Sequence, residues 1–229
     1  MLRELIDKFY LDRQKDKEQA HFYITDAGRC GRAVFFKFKN APRREIEPNV
    51  LRLFDHGDYI HQLIMKPLLS IREIHVVASE IKIPPQELVS GRADAIISDG
   101  KDLYVLDIKS MNSMIFRNLT EAKEENINQV QLYLHYFKIP RGILLYVNKD
   151  NQELKEFVVN YDKKRVLLLL DGLSKLKNKI EKNIIPDRLA DYPDNWQCQY
   201  CQFNAICALA NGGKLKWEDF KKKTESQPR

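Results

Sequence analysis

The chain has 229 residues, enough for one sizeable core or for a core with a small appended lobe. Hydrophobic residues make up 44% and charged residues 31%, which excludes an intrinsically disordered chain, and no apolar run approaches the roughly 20 residues that span a bilayer. The formal net charge of +6 points to an anionic partner, nucleic acid being the commonest, although a merely lysine-rich surface carries the same charge and part of it sits in Lys221-Lys222-Lys223.

Residues 1–20 are amphipathic and charged and read as a helix. They lack the apolar stretch of a signal peptide, so the expected location is the cytoplasm, with no membrane partner. Thr25-Asp26-Ala27 is a candidate cap for a short helix carrying Cys30 and Arg32. Residues 41–48 are turn-like and basic. Leu51, Phe54, Ile60, Leu63, Ile64 and Leu68 then recur at helical spacing to about residue 69. The texture changes at Ile71, where 74–77, 80–83, 88–97 and 103–108 read as consecutive strands punctuated by Pro84-Pro85 and Ser98-Asp99-Gly100. Asp99-Gly100 is a hairpin signal that makes the last two antiparallel neighbours. A helix over 120–138 follows, with Ile127, Val130, Leu134 and Phe137 on one face. Next come strands over 142–147 and 154–159, joined at Lys149-Asp150-Asn151, and a long helix over 162–182. Helices, a run of strands, a helix, strands and a helix describe a mixed α/β (α+β) domain.

Asp94 and Asp107 fall on neighbouring strands of the expected hairpin, and Lys109 lies two positions after Asp107. Residues i and i+2 of a strand share a face, so Asp107 and Lys109 project together with Asp94 across the ladder. Charge in a strand whose other members are Val105, Leu106 and Ile108 is costly unless paired or metal-bound. Two carboxylates suit a hard cation such as Mg²⁺ or Mn²⁺, and an adjacent lysine can orient a water or neutralise a phosphoryl group. On the tripeptide alone, an ordinary surface ion pair would be the better reading.

The wider arrangement changes that balance. Gly57-x-x-x-His61, Glu80, Gly91-x-x-Asp94, Asp107-x-Lys109 and Gln129-x-x-x-Tyr133 resemble, in that order, the motifs of the PD-(D/E)xK superfamily, and within it the RecB-like nucleases. The resemblance implies a restriction-endonuclease-like core with a central mixed sheet flanked by helices. It also implies roles. His61, Asp94, Asp107 and the backbone carbonyl of Ile108 would ligate the metal, and Lys109 would activate the water. Glu80 would be an accessory acid, and Gln129 and Tyr133 would support the lysine and contact the DNA backbone. His61 taken alone would read as an ordinary helix histidine, and Gln131 is an off-register competitor for Gln129.

The four cysteines are Cys30, Cys198, Cys201 and Cys207. Three of them crowd one polar segment, which in a cytosolic chain favours metal ligation over disulfides. Four thiols satisfy either a zinc ion or a 4Fe–4S cluster, and spacing alone does not separate the two. One early cysteine plus a late C-x2-C-x5-C resembles the iron–sulfur branch of the RecB-like nucleases, including the CRISPR-associated Cas-four exonuclease family and AddB-type nuclease domains, and so implies the cluster. Its expected role is to staple the two ends of the chain together.

The expected organisation is one nuclease domain. It comprises an N-terminal helical part over 1–70, a nuclease core over 71–185, a cysteine-rich segment over 186–215 and a basic tail over 216–229. The expected function is a metal-dependent DNA exonuclease on single-stranded ends, in CRISPR adaptation or in recombination and repair, working with CRISPR integration proteins or a separate helicase because no P-loop is present. Arg29, Arg32, Arg43, Arg44 and Lys66 are the candidate DNA contacts. The alternatives are a non-catalytic, cluster-containing DNA-binding module and a zinc-stapled nuclease of the same fold with endonuclease activity.

Overall fold

A computed structural model describes residues 1–14, 19–84, 88–210 and 215–225. Helices α1 (Leu2–Asp12), α2 (Gly31–Phe38) and α3 (Pro48–Leu68) precede a five-stranded sheet. Its strands are β2 (His75–Lys82), β4 (Arg92–Ser98), β5 (Leu103–Met111), β6 (Arg141–Asn148) and β7 (Leu154–Asn160), in that spatial order. β5 and β6 are parallel, linked by a crossover containing α4 (Ser113–Arg117) and α5 (Glu124–Phe137); the other pairs are antiparallel. Helix α6 (Lys163–Glu181) follows β7, and three short helices close the chain: α7 (Trp196–Gln199), α8 (Asn204–Leu209) and α9 (Trp217–Glu225). The expected mixed sheet and the β4–β5 hairpin at Asp99-Gly100 are both present. Among the described residues no helix is long and apolar enough to cross a membrane.

Several local expectations are corrected. The two strands expected over 74–77 and 80–83 are one strand, β2, in which a β-bulge between Val76 and Ala78 absorbs the irregularity. The segment expected as one strand over 88–97 breaks at Gly91. Before the break, β3 (Val89–Ser90) pairs in parallel with the two-residue β1 (Phe22–Tyr23); after it, β4 joins the main sheet. Asp26 does not cap α2. Its buried carboxylate accepts from the Tyr23 amide at 2.9 Å and Gln19 Nε2 at 2.7 Å, and Lys37 Nζ reaches it at 3.0 Å, so it ties the preceding turn to the helix flank.

The sheet is covered on both faces, which explains its apolar central strands. On one face Ile60 of α3 packs with Ala95, Ile97, Leu106, Ile108 and Val147. On the other, Val105, Leu144 and Tyr146 meet Val130, Leu132 and Leu134 of α5 and Val166 and Leu173 of α6. Phe35 and Phe36 of α2 are wholly buried, with ring centroids 6.1 and 6.0 Å from Trp217 of α9. Each such ring contributes roughly 1.5–3 kcal/mol by leaving water. The segment expected as a basic tail therefore carries an anchor, since Trp217 and Phe220 are both buried in the core.

Candidate active site and cysteine cavity

The β4–β5 ladder runs from Ser98↔Leu103 to Ala95↔Leu106 and stops there. Backbone groups of alternate residues face the same strand edge, so the next β5 amide towards β4 is that of Ile108. It donates to Asp94 Oδ2 at 2.7 Å instead of to a strand carbonyl. The other Asp94 oxygen, Oδ1, lies 3.3 Å from His61 Nδ1 on α3. That hydrogen bond raises the His61 pKa above its ordinary value, against the opposing effect of burial.

Asp107 is 1% exposed. Burial pushes its carboxyl up to about 6, with the Asp94 charge adding to the effect and Lys109 opposing it. Lys109 Nζ approaches Asp107 Oδ2 to 2.8 Å, yet that oxygen has no aligned hydrogen-bond donor. The contact is therefore one of charge more than of hydrogen-bond alignment. Among the described residues, no three His, Cys, Asp or Glu side chains already stand in a metal-holding arrangement. In kind, however, the donors suit a divalent cation: the carboxylates of Asp94 and the buried Asp107, and the His61 imidazole.

Gly91 is required by close approach. A Cβ there would lie 3.0 Å from Ile24 Cβ and Cγ2 and 3.2 Å from Ile83 Cδ1. The strand must pass this wall to deliver Asp94. Gly57 has no such need, because a Cβ there would meet only Ser110 Oγ at 3.8 Å.

Gln129 Nε2 lies 3.4 Å from Tyr133 Oη, and that hydroxyl donates to the Arg92 carbonyl at 2.7 Å. Burial raises the Tyr133 pKa, and both Asp107 and Asp94 are near enough to add to it, so the phenol stays protonated beside the carboxylates. Gln131 serves elsewhere. Its side-chain amide donates to the Asn160 carbonyl and accepts from the Asp162 amide, fixing the β7–α6 corner. Glu80 makes no contact with the carboxylate pair. Its backbone has φ 55°, and its half-exposed carboxylate pairs with Arg92 Nε at 2.6 Å. Arg92, which engages both Glu80 and Tyr133, carries no sequence signal of its own.

Cys30, Cys198, Cys201 and Cys207 line one cavity with about 320 Å³ of empty space, part of it open to solvent. Burial raises the Cys198 and Cys201 thiols, and the neighbouring cysteines raise them further. A soft cation stabilises thiolates and displaces their protons, so four thiols lining one cavity fit in kind a thiolate-ligated metal or cluster. Gln197 Oε1 accepts from the Cys30 amide at 3.0 Å and so holds α7 against the start of α2. Arg32 corrects an expectation. It is 1% exposed and donates to the carbonyls of Pro186 at 2.6 Å and Ala210 at 2.7 Å, so it braces the C-terminal segment from inside and has no surface for DNA. Arg29 and Arg43 are partly exposed, and Arg44 and Lys66 lie at the surface.

Comparisons with known proteins agree with the fold. The sequence profile of the PD-(D/E)XK nuclease superfamily matches residues 25–208. The CRISPR-associated exonuclease Cas4 of Saccharolobus solfataricus is 27% identical over 225 residues, covering 89% of this chain and 98% of that protein. Among solved structures, SSO0001 superposes with a TM-score of 0.54 at 24% identity, over 94% of this chain and 98% of that one. A phage-related exonuclease from Haemophilus somnus gives 0.53 at 9% identity, over 71% and 94%. At these identities the two structures speak for the fold alone.

Proposed function

Because the chain belongs to the PD-(D/E)XK nuclease superfamily, we propose that it is a metal-dependent DNA exonuclease acting on single-stranded ends. The observation that carries the reading is a pair of linked contacts on adjacent strands: His61 Nδ1 lies 3.3 Å from Asp94 Oδ1, and Lys109 Nζ lies 2.8 Å from Oδ2 of the buried Asp107. Asp94, Asp107, His61 and the Ile108 carbonyl would hold a Mg²⁺ or Mn²⁺ ion. When bound, that ion supplies Lewis-acid stabilisation of charge developing on the phosphoryl oxygens. Lys109 stands beside Asp107, where it can hold the attacking water and then neutralise the phosphorane. Tyr133, kept protonated, positions Gln129 towards the strand. Glu80 acts on Arg92, keeping that guanidinium at the rim of the site.

The four thiols would hold a 4Fe–4S cluster that ties the 186–215 segment to the N-terminal helices; zinc would serve the same stapling role. Visible thiolate-to-iron absorption of anaerobically purified protein separates the two, zinc giving none. Similarity to a CRISPR-associated exonuclease supports a place in CRISPR adaptation, with integration proteins as partners. Recombination and repair is the second context.

The deciding assay incubates end-labelled single- and double-stranded DNA and a circular single strand with the protein and Mn²⁺, beside Asp107→Ala and Lys109→Ala. Degradation of linear single strands by wild type alone supports the reading. Equal degradation by all three proteins sinks the site, and cutting of the circle replaces the exonuclease with an endonuclease. Wild type that binds DNA without cleaving it would leave the non-catalytic module.

A further inference from the structure

The cysteine segment presents aromatic surface that the fold leaves uncovered. Trp196, at the start of α7, is 48% exposed, and Tyr200, four residues on, is 80% exposed. The Arg29 guanidinium lies 5.1 Å from the Trp196 ring centroid, so one side of the indole is backed by a cation. The chain's other tryptophan, Trp217, is buried.

This patch connects to the catalytic strands through packed residues. Gly28, just before Arg29, lies so close to α5 that a Cβ would sit 2.6 Å from Asn128 Nδ2. Its φ of +73° lets the chain turn there towards Cys30 and α7. Asn128 adjoins Gln129, which reaches Tyr133, whose hydroxyl is fixed to β4. On the same α7 side, the Gln197 side chain holds the Cys30 amide. Packed residues of α5 thus link β4, which carries Asp94, to the turn that precedes Arg29.

We propose that Arg29 and Trp196 form a base-stacking platform for single-stranded DNA, with Tyr200 taking the adjacent base, so that the cysteine lobe guides the strand towards the carboxylate site. The proposal rests on the DNA-nuclease reading and names where that substrate is gripped. The physics favours an unpaired strand. A duplex offers no free base face, whereas every unpaired base stacks on an aromatic ring whatever its identity. Asp191 and Asp194 flank α7, and Asp191 Oδ2 accepts from the Asn195 side-chain amide at 2.8 Å. The patch therefore attracts by stacking more than by field, and its contribution to binding persists at salt concentrations that weaken phosphate contacts.

The test uses the whole protein in EDTA, with an oligothymidylate as the probe. Trp196 is the accessible fluorophore, so binding is expected to quench wild-type tryptophan emission, and Trp196→Phe is expected to lose the quench while still binding. In fluorescence-anisotropy titrations, Trp196→Ala should bind about ten-fold more weakly, the size of one lost base–aromatic stack, and Arg29→Ala should bind several-fold more weakly. Quenching of wild type does not depend on any variant folding. Oligonucleotide binding that leaves Trp196 emission unchanged, or Trp196→Ala binding as tightly as wild type, overturns the platform. Mn²⁺-dependent hydrolysis of thymidine 5′-(p-nitrophenyl phosphate) reports on the carboxylate site in the wild-type protein. If wild type hydrolyses neither this ester nor DNA but Trp196 is still quenched, the nuclease reading fails and the platform stands.

Discussion

Asp94 Oδ2 accepts the Ile108 amide proton at 2.7 Å, across the point where the β4–β5 ladder ends. A side chain thus replaces a strand carbonyl as the acceptor. The N–H and C=O of a strand residue face the same edge, so the Ile108 carbonyl is aimed at the space the diverging strands open. Asp94 positions a neighbouring backbone oxygen as well as its own carboxylate.

Ionising Asp107 in its buried setting costs up to about 3 kcal/mol, since burial lifts its pKa to about 6. Asp107→Asn should therefore abolish DNA cleavage while making the metal-free protein more stable at pH 8, by no more than that figure. Urea denaturation in EDTA measures it. A variant less stable than wild type would show that Asp107 is held by contacts other than its charge.

The pH dependence of the metal-free protein follows from two groups. Asp107 has a raised pKa, so its neutral form favours the fold at low pH, and that contribution fades as pH climbs through about 6. His61 is raised as well, so its protonated form stabilises the fold below about 6.5 and the benefit is lost above its folded pKa. In EDTA the melting temperature should fall between roughly pH 5 and pH 8 on account of both groups. Mn²⁺ should restore it at the alkaline end, where both ligands are free of protons. A melting temperature that rises over this interval in EDTA would contradict the assigned environments.

Gly91→Ala places a methyl 3.0 Å from Ile24, which is itself buried. Overpacking of this kind costs about 1–3 kcal/mol. Because the displaced strand carries Asp94, the loss of activity should exceed that of Gly57→Ala, whose added methyl meets nothing closer than 3.8 Å. Parallel melting curves and cleavage rates for the two variants make the comparison.

Arg32→Ala leaves the Pro186 and Ala210 carbonyls without their donor inside the protein. A loss of roughly 2–4 kcal/mol is expected from these two groups. Limited proteolysis should then cut first within 186–215. Unchanged protease resistance would mean that the cysteine segment is held without this brace.

The site's core was legible because it obeys short-range rules. Strand alternation put Asp107 and Lys109 on one side, the Asp99-Gly100 turn placed Asp94 opposite them, and one helical turn joined Gln129 to Tyr133. The departures come from interactions that no local pattern encodes. Alternating apolar residues run through Gly91, so the break there is visible only once Ile24 and Ile83 are in place. Arg32 reads as a surface cation because its acceptors lie 154 and 178 residues away. The basic run at 221–223 masks α9, whose anchoring depends on Trp217 meeting Phe35 and Phe36.

The packing of α9 on α2 also bears on biosynthesis. The carboxylate site draws on residues up to Tyr133, and its sheet needs chain only to Asn160. Phe35 and Phe36 of α2 take their last aromatic partner from Trp217, which is synthesised after all of these. A nascent chain can assemble the catalytic sheet before the packing around these two rings is complete. The arrival of α9 thus closes an apolar contact that Phe203 and α6 can only begin.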